Sequence, residues 1–554
     1  MTVQAEPVHI RRGRSYARPP TPKPLLGVRF VAVLPMGLGV LLAGVYLVWQ
    51  PPSIDLAAAQ YRAALFGRAG FTLWDLSWYG GHYMPAYSVF VPALSWLIGT
   101  PWLGAAAVVS SVGLFQRLLG KATTATALST SWLGLGVLSS LVSGRITFTA
   151  GIPLSLVALV CARTSGSHRR LAMMGALGFS VLTAMASPVS ALFLALAWTA
   201  RCLTDDTAAS RLRDGALIVA TFLPIAVLNL AFPETGVEPL ALTALLPVGI
   251  YTAFAVPLLR RHRTLVIGVL LYAAACLVTW RLHSPVGANV LRLGPLCGGP
   301  ILAWELWPRR RAWLLVLALP LLWWQWSPAI SDVRSASTGP TTSAAFYRPL
   351  LRELDTLSGS ARATADGGFR VEIPFTRLHW EARWVAPHYP LARGWERQVD
   401  IADNPVFYAR PLTAPAYRAW LDENAVRYVA LPDAALDYSA IGERRVILSR
   451  PRYLRLLWRD AHWRVYAVRR AQPILPRPFV LRSMTSDAIT LTAPAAGTGI
   501  LRVRWTPYWA ISTGSGCVSS AGGWTRLNVR RGGRIRLTLR FAIGRVASTS
   551  PRCT

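Results

Sequence analysis

SIDLAAAQYRAALFGRAGFTLWDLSWYGGHYMPAY, residues 53–87, is the stretch whose reading decides the fold. It follows the first long apolar run, 28–49, and a series of further apolar segments comes after it. It is rich in aromatics, and it holds Asp55, Asp75 and His82 in a charge-poor half of the chain. A run of about 20 apolar residues crosses the hydrocarbon core of a bilayer. The stretch therefore reads as an ordered loop at the outer membrane surface, opening with a carboxylate.

Composition supports a membrane setting. The 554 residues are 53% hydrophobic and only 15% charged, whereas soluble domains carry about a quarter charged residues. Basic residues number 58 against 25 acidic, a net of +33. Only Lys23 and Lys121 are lysines, an arginine skew that reads as a GC-rich genome. The chain has no zinc, RNA-recognition or helix-turn-helix signature, and its basic residues cluster in loops, so no nucleic-acid partner is expected.

The loop charges give a ladder. Residues 1–27 are polar, Pro-rich and basic, a disordered cytoplasmic tail that places the N-terminus inside. The expected spans are then 28–49, 88–118 (kinked or split at Thr100-Pro101), 123–142, 146–162, 171–186, 189–203, 215–231, 240–259, 264–280, 291–306 and 312–326. Basic clusters at Arg117/Lys121, Arg163–Arg170, Arg201–Arg213, Arg260–Arg263 and Arg309–Arg311 mark the cytoplasmic side. The intervening loops are not basic. The expectation is a polytopic α-helical membrane protein of about 11 spans in the plasma membrane. If 171–203 is a re-entrant hairpin, the count drops by two and the orientation survives. The helical domain is 28–329, with the outer loop at 50–87.

The remainder, 330–554, is not apolar enough to span and lies outside on this ladder. It holds 33 Arg against 16 Asp plus Glu, but long domains translocate largely regardless of charge. Helical and strand patterns mix over 330–473, an extracytoplasmic α/β domain. From 474 to 554, short alternating runs broken by Gly predict a small β-sandwich. Cys517 and Cys553 lie in that last segment, where an oxidising compartment permits a disulfide.

Three groups of residues could carry chemistry. Asp55 opens a helix, where an acid also serves as a simple cap; at the mouth of a bundle it is a candidate general base. Trp74, Asp75, Trp78, Tyr79 and His82 flank Gly80-Gly81, a pair that permits a sharp turn. These side chains suit either an interfacial aromatic belt or a seat for a sugar ring or phosphate. Arg145, His283 and Arg292 lie on the outer side of spans, where an Arg fork suits a phosphate. Arg281 reads as an interfacial side chain, and Glu234 and Glu238 as loop acids that could add a second carboxylate or a metal ligand.

The layout resembles the multispanning glycosyltransferases of the C superfamily. More closely, IDLAAAQYRAALF, WDLSWYGGHYMPAYS, SGRITFTAGIPLSLVAL and NAVRYVALP resemble the 6-pyruvoyl-tetrahydropterin-synthase-related membrane proteins of actinobacteria. The resemblance implies a GT-C-like membrane hexosyl- or pentosyltransferase. Its donor would be a polyprenyl-phosphate sugar, transferred with inversion to an envelope glycan or lipid acceptor in cell-wall biogenesis. It implies Asp55 as base, and Arg292 or Arg145 as the phosphate partner. The superfamily usually pairs two acids in this loop; here Ala57 and Ala58 follow Asp55, and the metal requirement stays open, with a divalent ion possible. The other readings of the sequence are a lipid or glycan transporter or flippase and a non-catalytic envelope scaffold.

Overall fold

The fold is that of a computed structural model, which describes residues 28–234, 236–359, 368–408 and 411–554. The basic tail, 1–27, lies outside the described residues. Helix α1 (Val28–Trp49) leads into α2 (Ile54–Ala69), then a short pair, β1 (Trp74–Asp75) and β2 (His82–Tyr83). Next come α3 (Val91–Ile98) and α4 (Thr100–Leu119), split at Gly99. Then follow α5 (Thr124–Val142), α6 (Ile146–Arg163), α7 (Arg169–Ala186), α8 (Pro188–Thr204), α9 (Ala208–Ala231), α10 (Leu246–Leu258), α11 (Arg263–Leu282), α12 (Leu293–Leu306) and α13 (Arg311–Ser337).

Among the described residues, seven of these helices are long and apolar enough to cross a membrane: α1, α4, α5, α6, α9, α11 and α13. The remaining four of the expected spans fall short for identifiable reasons. Helix α7 begins on Arg169 and Arg170, α8 is 17 residues long, α10 is 13 and α12 is 14. The break at 187–188 arises because Ser187 caps α8 through the Ser190 amide while Pro188 takes its first position.

Helix α5 is the most buried of the seven, packed against α1, α4, α12 and α13. Small residues allow that approach. Ser129 Oγ donates to the Pro300 carbonyl at 2.7 Å, and Ser139 Oγ to the Gln325 carbonyl at 2.7 Å. Gln325 in turn donates to the Pro295 carbonyl at 2.8 Å. These bonds tie α5, α12 and α13 without burying a charge.

Beyond α13, helix α14 (Ala344–Ser358) precedes a mixed sheet in the order β3 (Arg370–Glu372), β4 (Val426–Pro432), β6 (Trp463–Val468), β5 (Leu454–Arg459). Only the β3–β4 pair is parallel. Two four-stranded antiparallel sheets follow. One is β10 (Trp509–Thr513), β13 (Gly533–Leu539), β8 (Ala488–Ala493), β7 (Val480–Met484). The other is β14 (Arg552–Cys553), β11 (Gly516–Ala521), β12 (Trp524–Val529), β9 (Gly497–Arg504). Leu491, Leu501, Val503, Trp509, Val518, Leu527 and Leu537 from both sheets share one buried core. A disulfide joins Cys517 on β11 to Cys553 on β14.

The loop 53–87 is clamped between the helices and these sheets. Trp380 and Trp395 donate ring N–H bonds to the carbonyls of Ser53 and Ile54, at 3.2 and 2.9 Å. The Leu391 amide donates to Ser77, Arg504 to Gly80, and Leu76 to Ser486, all within 2.9 Å. Trp74, Leu76 and Tyr83 join the core of the C-terminal sheets. The loop is thereby fixed by residues more than 300 positions downstream.

Candidate active site

Asp55 lies in the first turn of α2, whose N-cap is Ser53 with an extended backbone and no side-chain cap bond. Two cations flank its carboxylate. Arg145 Nε is 3.7 Å from Asp55 Oδ2, and an Arg292 Nη is 3.6 Å from the same oxygen. These distances allow strong attraction but exceed hydrogen-bond length. The guanidinium groups keep donors to spare, and Arg145 Nε is buried without a hydrogen-bond partner.

Three elements meet to build this trio. The turn Ser143–Arg145 presses on the start of α2. Gly144 there has φ +76°, and a Cβ would come within 2.4 Å of the Leu56 amide nitrogen and Ser53 Oγ. Only glycine permits so close an approach in that conformation. Arg292 ends the 3-10 turn Gly287–Arg292 ahead of α12, with its guanidinium 5.6 Å from the Phe148 ring centre. All three side chains are about four-fifths covered, with 18 to 24% of each exposed.

A second acid approaches from the loop after α9. The Glu238 amide donates to the Ser284 carbonyl at 3.2 Å, and Gly287 packs on the Glu238 backbone. Burial pushes the Glu238 carboxyl up to about 7; the negative Asp55 adds to the rise, and Arg397 and Arg292 oppose it. Arg397, which comes from the segment between β3 and β4, is held by Asp437 at 2.7 Å. Sequence reasoning offered Glu238 as a loop acid that could add a second carboxylate, and missed Arg397, because nothing near it in the chain marks its neighbours. Ala57 and Ala58, the positions after Asp55, are fully buried. An acid at either would be a buried charge facing the packed interior.

The aromatic group sits elsewhere. Trp74, Asp75, Trp78, Tyr79 and His82 are all buried, none more than 4% exposed. Asp75 accepts from Tyr61 Oη at 2.7 Å and from the Ser77 amide at 3.0 Å. Burial raises its carboxyl, with Tyr61 and Ser77 opposing. Trp78 stacks between Tyr61 and His82, with ring centres 4.4 and 5.2 Å apart. Burial, and then the Arg62 cation, lower the His82 imidazole to about 3, so the ring is neutral. Gly80 and Gly81 make the sharp turn their positive φ values require; a Cβ on Gly81 would meet the Trp74 ring at 2.3 Å. These five side chains face protein, not solvent. His283 is exposed at the left-handed C-cap of α11, and among the described residues no hydrogen bond or ion pair ties it to Asp55.

What the aromatic group surrounds is a buried ion pair, Arg62–Glu396, which joins α2 to the α/β segment. Tyr79 Oη donates to the Glu396 carbonyl at 2.8 Å, and the Arg62 guanidinium sits 3.7 Å from the Tyr87 ring centre. Removing one member of a buried pair leaves the other uncompensated, at a cost of about 3–5 kcal/mol. Because Glu234 is a second buried acid facing Arg62, the double variant Glu234→Ala, Glu396→Ala should lower the unfolding free energy of the detergent-solubilised protein by that amount. A loss under about 1 kcal/mol, typical of exposed pairs, would show that water reaches the pair.

No family model matches the chain, and no curated protein does. Solved structures do. Archaeal oligosaccharyltransferase AglB from Archaeoglobus fulgidus, in complex with an inhibitory peptide and a dolichol-phosphate, is 10% identical. That match covers 73% of this chain and 69% of that one, with a TM-score of 0.44. The Archaeoglobus fulgidus oligosaccharyltransferase in complex with Zn and sulfate is 13% identical over 73% and 68% of the two chains, TM-score 0.36. Arabinofuranosyltransferase AftD from Mycobacteria is 12% identical over 95% of this chain and 60% of that one, TM-score 0.42. The chain itself is a helical membrane protein with a carboxylate set between two arginines.

Proposed function

We propose that the protein is a membrane glycosyltransferase of the GT-C plan. It would move a hexosyl or pentosyl group, with inversion, from a polyprenyl-phosphate donor to a cell-envelope glycan or lipid acceptor. The observation that carries this reading is the Asp55 carboxylate between Arg145 and Arg292 at the end of the helical bundle. Such a group supplies both halves of the transfer. The carboxylate takes the proton of the acceptor hydroxyl, whose oxygen forms the new bond to the anomeric carbon. The old bond to the phosphate oxygen breaks, passing through an oxocarbenium-like state. The lipid phosphate leaves with that electron pair, and the guanidinium groups meet its charge.

Trp74, Asp75, Trp78, Tyr79 and His82 hold the loop in place in this reading and do not touch the sugar. Among the described residues no group of three or more His, Cys, Asp or Glu side chains is placed to hold a metal ion, and no step is routed through one. The direct test is transfer of labelled sugar from polyprenyl phosphates by purified protein in proteoliposomes. Transfer from none of a panel of hexose and pentose donors would overturn the proposal, and lipid scrambling in its place would establish a flippase.

The chemistry requires the plasma membrane, with the N-terminus cytoplasmic and the sheets outside, so that a lipid-linked donor meets Asp55 on the outer face. In a background lacking the free cysteines, Ser165→Cys and Ser331→Cys should react with an impermeant thiol reagent from opposite sides. Labelling of both from one side would break the topology.

A further inference from the structure

A crevice of about 1100 Å3 opens between the β3–β6 sheet and the C-terminal sheets. Five arginines line it: Arg427, Arg455, Arg469, Arg470 and Arg477. The described lining residues include no Asp or Glu. Arg455 comes from β5, Arg469 and Arg470 follow β6, and Arg477 lies in the connection to β7. The floor is apolar and aromatic, with Phe369, Tyr428 and Leu457, and Arg427 lies 5.6 and 5.7 Å from the centres of the first two rings.

Two further arginines fix the backbone of this rim. Arg418 donates to the carbonyls of Arg469 and Arg470 at 2.6 and 3.3 Å. Arg502 donates to the Pro473 carbonyl at 3.0 Å. By contrast, the side chains of Arg455, Arg469, Arg470 and Arg477 are exposed, with no ion pair or hydrogen bond to another described residue. Like charges gathered on one concave wall repel one another, and an anion seated among them removes that repulsion. The forked donors suit phosphate or carboxylate oxygens. Half-buried Leu457 leaves a small apolar contact for a sugar ring. Small-ligand sites occupy about 300–1,000 Å3, so this space takes several sugar units.

We propose that this crevice binds an anionic glycan, a run of sugars bearing carboxylate or phosphate groups, independently of the chemistry at Asp55. Lipid is the poorer occupant, because the site lies beyond α13, between two units that carry no candidate span.

The experiment uses the full chain in nanodiscs of neutral lipid, with a polygalacturonate oligosaccharide as probe and a neutral dextran oligosaccharide beside it. The combined variant Arg455→Ser, Arg469→Ser, Arg470→Ser and Arg477→Ser should weaken polygalacturonate binding by at least about tenfold, and added salt should weaken wild-type binding. A second variant removes the same charge from β12, β13 and the turn between them: Arg526→Ser, Arg531→Ser, Arg534→Ser and Arg536→Ser. These are likewise exposed, and this variant should bind within about twofold of wild type. Equal losses in both variants would reduce the effect to bulk charge and overturn the site. Equal binding of the dextran would also overturn it, as would saturable wild-type binding to phosphatidylglycerol vesicles without binding to the glycan. A thermal melt of each variant separates lost binding from lost folding.

Discussion

Asp55→Asn should lower sugar transfer by about 10²–10⁴-fold, the usual worth of a positioned general base, while the protein still folds. The two halves of that expectation come from the same geometry. Asn keeps the shape of the side chain and removes the negative charge and the proton-accepting oxygen. The helix start does not depend on Asp55, because Ser53 is the N-cap and no cap bond runs from either side chain. The pairs to Arg145 and Arg292 are long but about four-fifths covered, so their loss should cost more than an exposed pair and less than the about 3–5 kcal/mol of a fully buried one. Donor binding should hold or tighten, since the two guanidinium groups then face the phosphate without a competing carboxylate. The fall should therefore appear in kcat and not in the donor KM. Initial rates with a labelled donor in proteoliposomes check this. Unchanged transfer by a folded Asp55→Asn protein would remove Asp55 as the base and leave it a helix-start acid.

How much of this was legible in the chain differs between its parts. Apolar runs and arginine-marked loops placed the helices in order, because span length and loop charge are local properties of sequence, but α9 starts at 208 where 215 was expected and α13 runs to 337 where 326 was expected, since their polar ends carry no apolar signal. The Thr100-Pro101 break was local for the same reason, and Gly99 with φ +87° makes it. Asp55, Arg145 and Arg292 stood out singly as charges beside apolar runs, and that all three converge depends on how α2, the α5–α6 turn and the start of α12 pack. The fate of Trp74–His82 was not legible. Aromatics around a glycine turn read alike whether they meet lipid, a sugar or protein. The deciding partner, Glu396, lies 334 residues from Arg62 and has no local signature. Glu238 reads as a solvated acid until Gly287 packs against it and Arg397 arrives from the α/β segment.

Arg292→Ala should lower kcat by about 10²–10³-fold, the range for removing one preorganised group from developing charge in a transition state. The leaving phosphate gains charge as the glycosidic bond breaks, so an interaction that strengthens at that moment shows in kcat more than in KM. Arg292 is placed for this more firmly than Arg145. It packs beside Phe148 at the end of a 3-10 turn and lies near both Asp55 and Glu238, whereas Arg145 is the more exposed of the two. Arg292→Lys should recover part of the loss, because a point charge replaces a fork without its paired donors. Guanidinium ion added to Arg292→Ala should restore activity in a saturable manner, which a merely structural role would not allow. If Arg292→Ala instead raised the donor KM with kcat intact, the guanidinium would be a ground-state phosphate anchor. The charge of the departing lipid phosphate would then fall to Arg145, whose unpartnered Nε is the other donor beside Asp55.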